Sequence, residues 1–178
     1  MNTIKDVINL YKPKMKELGM TPIPDFYKLN RQLENEIKKI INAENEILEY
    51  FQKAIMTCNW EEERYWAIAA ITHPSSIYLD TFFKILETNN TSYPHWRILD
   101  VLAWLPEDLY CRITKELKKV IELGNSSWRE EELKKAFEVL IWIGKEEDII
   151  FIEQQCKSEN KKIAKMAEYW IDWLKEED

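Results

Sequence analysis

The segment Asn59-Trp60-Glu61-Glu62-Glu63-Arg64-Tyr65-Trp66 sets three carboxylates and an arginine between two indoles. Two carboxylates held together in a pocket can divide general acid and general base work, and indoles with an arginine can frame a ligand cage. At the start of a helix the same residue types would do neither. An asparagine there caps free amides, and an acidic triplet opposes the positive end of the helix dipole. Internal relatives favour the helix start. Ser127-Trp128-Arg129-Glu130 has the form of a capping box, with a second acidic triplet at Glu130 to Glu132, and Asn59 has Glu62 at the same offset. Ser92-Tyr93-Pro94 places proline at a first helical position.

Other reactive residues offer little more. His73 precedes a proline at a turn and His95 lies in a first helical turn, and neither has metal-ligand spacing around it, so they read as a turn residue and a surface residue. Cys58, Cys111 and Cys156 are odd in number and widely spaced, which suggests small buried thiols rather than disulfides or a zinc site. No nucleophile elbow, Walker loop or dinucleotide fingerprint occurs, and with 3 glycines in the chain a backbone cradle for phosphate is disfavoured. No catalytic residue, metal or cofactor is therefore expected. The acidic runs, including Glu146 to Asp148, read as helix starts and solvated faces. Of 8 tryptophans, Trp66, Trp104, Trp142, Trp170 and Trp173 fall in apolar stretches and read as core. Trp60, Trp96 and Trp128 stand at helix starts, where packing onto the preceding unit competes with exposure as binding anchors; their recurrence with caps favours packing.

The elements that must position these residues are helical. The 178 residues suit one domain with a substantial core, and 46% hydrophobic with 32% charged residues is a globular balance. Three glycines and 6 prolines leave few tight turns for a β-sandwich. The formal charge of -7 repels a phosphate backbone unless the cations are gathered on one face, so nucleic acid is a disfavoured partner. The start mixes charges through its apolar residues, and the longest clean apolar run, Trp66 to Ile71, is too short to span a bilayer. The expectation is a soluble, unexported, cytoplasmic protein without a membrane partner.

Apolar stretches ending in a break recur at Ala67 to Pro74, Val101 to Pro106 and Val139 to Gly144, with a fourth over Lys165 to Leu174. Irregular steps of thirty-odd residues between them fit stacked helix pairs with loops of varying length. First helices are expected near 60–72, 94–105, 128–143 and 159–174. Second helices follow Pro74, Pro106 and Gly144, and in the middle one Leu109, Ile113, Leu117 and Val120 make a single stripe that ends at Gly124. Asn2 to Leu18 reads as a helix interrupted near Pro13, Thr21 to Phe26 as a linker, and Asp25 to Thr57 as one or two helices divided near Asn42 to Asn45.

Arg97 to Asp108 and Ala136 to Leu174 resemble HEAT-like repeats, with Ile143-Gly144-Lys145-Glu146-Glu147 closest to the turn between paired helices; His73-Pro74 and Leu105-Pro106 replace the glycine. The resemblance covers residues 59 to 178. It implies an all-α protein, a short α-α superhelix of helix pairs over 59–178 with 1–58 as an N-terminal helical cap, in one domain of 1–178. In such pairs the second helices line the concave face, here with Asp80, Lys84, Arg112, Lys115, Glu116, Lys119, Glu153 and Gln154. Their mixed signs suit a protein partner better than a uniformly charged polymer. A non-enzymatic scaffold or adaptor is the expected function, with inhibition of a basic partner, as by an immunity protein, as a narrower form. The alternative from the same resemblance is a HEAT-like DNA-alkylation-repair glycosylase, which would need a basic, aromatic groove with a carboxylate. Trp173 is expected to reach into the preceding pair and leave the protein monomeric.

Overall fold

The computed structural model describes residues 3–18, 23–54, 60–88, 95–123 and 128–177; within these, side chains 23–26, 54, 60–63 and 177 are not described. All regular elements among the described residues are helical: α1 (Ile4–Leu18), α2 (Ile23–Ile37), α3 (Ala43–Ala54), α4 (Trp60–Thr72), α5 (Leu79–Leu86), α6 (His95–Leu102), α7 (Tyr110–Glu122), α8 (Glu130–Ile143), α9 (Glu146–Gln155) and α10 (Lys161–Glu177). Short 3-10 turns, Ser76–Tyr78 and Glu107–Leu109, lead into α5 and α7. The four first helices lie where the recurring apolar stretches put them. The caps expected at Asn59, Ser92 to Pro94 and Gly124 fall outside the described residues, as do Cys58 and Ser127.

The packing has an alternating order. α4 contacts α6, α6 contacts α8 and α8 contacts α10, forming one layer, while α3, α5 and α7 touch in succession in a second. α9 packs on α8 and α10, and α1 packs on α2, α3 and α4. One cluster of buried apolar side chains runs from Ile4 to Trp170. Each helix faces it with residues at helical spacing, as with Ile113, Leu117, Val120 and Ile121 on α7.

Two N-terminal expectations are corrected. α1 runs unbroken through Pro13. Its buried face, Ile4, Val7, Ile8, Tyr11 and Met15, continues across that point while Pro13 lies exposed, and burial at about 1.5–3 kcal/mol per large side chain offsets the lost backbone bond. The supposed linker is shorter than expected, because Ile23 to Phe26 already belong to α2. Pro24 is tolerated there since amides of a first helical turn have no intrahelical partner. The division between α2 and α3 falls at residues 38–42 and closes on Asn42, whose φ of 60° is in the left-handed region that asparagine accepts.

Side chains with ring N–H groups tie successive units together. Trp128 is 2% exposed, and its Nε1 donates to the Leu86 carbonyl at the end of α5, 3.2 Å away. His95 Nε2 is 3.1 Å from the neighbouring Ile85 carbonyl, and His73 Nε2 is 2.9 Å from the Ile37 carbonyl that ends α2. Trp170 Nε1 donates to the Lys134 carbonyl at 3.0 Å. The Ile85 and Ile37 carbonyls also accept backbone amides, so the histidine rings add a second bond to the carbonyl while filling the space between neighbouring helices. His95 is thus buried, contrary to its expected surface position; burial holds its imidazole below the ordinary histidine range, partly offset by the bond to Ile85.

The turn at Gly144 shows why its glycine is needed. Its N–H donates to the Leu140 carbonyl, and a Cβ would come within 2.1 Å of that oxygen and 2.9 Å of the Asp148 Cβ. Close approach of backbone excludes a side chain there.

Candidate functional site

Acidic residues at the helix starts divide by position. Glu130 and Glu131 are exposed, but Glu132 is 3% exposed and accepts from the Arg129 amide at 2.8 Å and from its guanidinium Nε at 2.9 Å. Burial pushes the Glu132 carboxyl upward, and the guanidinium and backbone amides outweigh it, holding the group below the usual carboxylate range. Asp148 repeats the arrangement on α9: it is 1% exposed and accepts from the Lys145 amide at 2.8 Å and from Lys118 Nζ at 2.6 Å. The third acid of each run therefore faces inward as a cap. The cap of α8 sits two residues later than the sequence suggests, with Arg129 rather than Ser127 preceding the helix. The side chains of Glu61 to Glu63 lie outside the described set.

The second-helix residues expected to bind a partner lie on α5, α7 and α9. Asp80 pairs with Arg112 across α5 and α7, and Lys119 Nζ is 2.8 Å from Glu116 on its own helix. Lys84, Lys115, Glu153 and Gln154 are exposed. The structure brings Asp80 and Arg112 together and leaves the others on separate helices.

The first-helix layer presents a more distinctive surface. Trp104 is 63% exposed and Trp142 59%, which overturns their expected place in the core. α6 ends at Leu102, so Trp104 falls in the turn after it; Trp142 sits two residues from buried Leu140, about 200° round the helix. Trp66 and Trp170 are buried as expected, and Trp173 packs edge-on to Trp170 with ring centroids 5.3 Å apart.

A charged seam joins α6 and α8 beside Trp142. Lys135 Nζ lies 2.7 Å from Asp100 and 3.4 Å from Glu138, and 5.5 Å from the centre of the Trp142 ring. Burial would lower the Lys135 ammonium, but these carboxylates hold it above the ordinary range. Lys135 thus joins α8 to Asp100 on α6 and reaches toward the Trp142 ring. Arg97 lies 3.6 Å above the Trp96 ring, and Lys134 Nζ is 4.5 Å from the centre of Tyr169 on α10. Trp96, Asp100, Lys134, Lys135 and Glu138 line a shallow cleft of about 430 Å³. Lys135 is paired with Asp100 and Glu138, and Arg97 and Lys134 sit over rings, an arrangement fit for contact rather than for proton transfer.

Among the described residues no group of three or more histidine, cysteine or acidic side chains could hold a metal ion. Cys111 is exposed and Cys156 half-buried, so neither is the fully buried thiol expected; burial pushes the Cys156 thiol up. No helix among the described residues is long and apolar enough to cross a membrane. No family model, curated protein or solved structure matches the chain.

Proposed function

We propose that the chain is a non-enzymatic protein-binding scaffold, a short α-α superhelix of HEAT-like helix pairs over residues 59–178 with residues 1–58 as its N-terminal cap. The observation that carries this reading is the exposure of two indoles, Trp104 and Trp142, with Tyr169 on α10 44% exposed as well. Large aromatic side chains beside arginine and lysine are the groups that dominate protein interfaces, and leaving them in water without a partner is costly. The alternating helix contacts and the recurring turn chemistry support the repeat reading. The partner is basic. Residues 59–178 hold 24 acidic and 16 basic side chains, so this part of the molecule attracts cations at long range.

The second-helix residues Asp80, Lys84, Arg112, Lys115, Glu116, Lys119, Glu153 and Gln154 form a second surface open to the same partner, with weaker claims because its best-placed pair is engaged internally. The same pairing tells against the DNA-glycosylase reading, in which Asp80 and Arg112 would have to meet a nucleotide. The test is capture on the immobilised protein from a lysate of its source cells at low and high salt. A basic protein retained at low salt and released as salt rises supports the proposal; no retained protein at either salt contradicts it.

A further inference from the structure

The opposite end of the molecule has a different character. Residues 1–58 carry 9 basic and 8 acidic side chains, against the acidic excess of the remainder. Along α2 three clefts adjoin, of about 430, 610 and 350 Å³, sharing Lys28, Gln32 and Asn35, the first two also lined by residues of α1. Five cations line them, Lys14, Lys28, Arg31, Lys38 and Lys39, against two carboxylates, Glu17 and Glu36. Lys39 is paired with Glu36 at 2.6 Å, whereas among the described residues Lys14, Lys28, Arg31 and Lys38 make no ion pair; Lys14 Nζ lies 5.2 Å from the centre of the Tyr11 ring.

The spacing of these groups is regular. Lys28, Arg31 and Asn35 follow one another at three and four residues, so they share one side of α2, and Lys38 follows at the same spacing in the turn after it. From Lys28 to Lys39 the seam extends roughly 16 Å at 1.5 Å per residue. An extended polypeptide covers that distance with about five residues. The amides of Gln32 and Asn35 each offer a donor and an acceptor, which suit a peptide backbone, and the half-buried Leu18 and Leu29 give the floor an apolar component.

We propose that the α1–α2 seam binds an acidic, extended polypeptide segment. Four cations without a carboxylate partner among the described residues meet its carboxylates, and the amides meet its backbone. A nucleic acid would also answer the cations. It is the poorer occupant, because a long polyanion leaving so short a seam runs into the field of the acidic residues 59–178. A short acidic peptide does not. The site is separate from the indole face of α6 and α8, so the scaffold would carry two surfaces of opposite charge preference.

The experiment is fluorescence anisotropy with the intact protein and three labelled probes: a peptide of about ten alternating glutamates and leucines, the same peptide with lysine for glutamate, and a single-stranded oligonucleotide of similar length. The glutamate peptide should bind and the lysine peptide should not. Lys28→Glu with Arg31→Glu should weaken the glutamate peptide roughly tenfold or more, since each reversal replaces an attraction by a repulsion. Lys161→Glu with Lys162→Glu, two exposed cations at the start of α10 outside both proposed surfaces, should leave it unchanged, and circular dichroism should show both variants helical. Tighter binding of the oligonucleotide, no binding of the glutamate peptide, or equal binding by the Lys28/Arg31 variant would overturn the proposal. None of these outcomes bears on the indole face, whose variants are different.

Discussion

Trp128 and Trp142 stand at the two ends of α8 and have opposite environments. The first is 2% exposed, fills the seam against α5 and donates its ring N–H to the Leu86 carbonyl; the second is 59% exposed, with only a lysine near its ring among the ring contacts seen. One end of the helix uses its indole to hold the stack together. The other presents its indole outward, as the turn after α6 presents that of Trp104. The difference separates residues that specify the fold from residues available to a partner, although the sequence uses the same side chain for both. It also gives each a distinct experimental response.

The largest effect should come from Trp128. Truncation to alanine removes a fully buried ring and its hydrogen bond to the Leu86 carbonyl, at a cost of about 3–5 kcal/mol, measured as a shift in the denaturant midpoint. A loss under about 1 kcal/mol would show that the seam is not organised around this indole.

Asp148→Ala should follow, at about 2 kcal/mol. It strips the Lys145 amide of its acceptor and leaves Lys118, only 24% exposed at its side chain, without its partner. Gly144→Ala belongs in the same range, about 1–3 kcal/mol, because the Leu140 carbonyl would have to move away from the new Cβ. Equal stability of the alanine variant would mean that the turn relaxes freely.

A smaller effect concerns pH. His95 has a folded-state value lowered from 6.5, chiefly by burial, so the unfolded chain binds the proton first. Stability should be level above pH 6.5 and fall as pH drops below it toward the folded value. Glu132 is also lowered, from 4.5, and contributes stability that is lost only at still lower pH. Thermal unfolding at stepped pH should show the His95 phase in the wild type and its absence in His95→Gln. An unchanged profile in the variant would assign the phase elsewhere.

Much of the fold was legible in the sequence because it rests on local chemistry. Apolar stretches with breaks at Pro74, Pro106 and Gly144 place the first helices within a few residues of where they lie. Burial was less legible where a stretch is apolar on every side. In "VLIWIG" no periodicity distinguishes Val139 and Ile143, which are buried, from Trp142, which is not. The wheel around Leu140 does make the distinction, since Trp142 falls opposite the stripe of Leu133, Phe137 and Leu140. The inward acids were hidden for a related reason: in "REEE" and "KEED" only the third acid reaches back to the preceding amide. The α1–α2 cations were hidden in an overall charge of -7, an average over two regions of unlike sign.

The smallest expected stability effect carries the most information about function. Trp104→Ala with Trp142→Ala removes two solvated rings and should change stability by less than about 0.5 kcal/mol per site. The decisive measurement is therefore capture of the partner by this double variant beside the wild type, at low salt and equal loading. The scaffold reading predicts that the basic protein retained by the wild type is lost by the variant while its unfolding midpoint stays in place. Retention of that protein at wild-type level would contradict it.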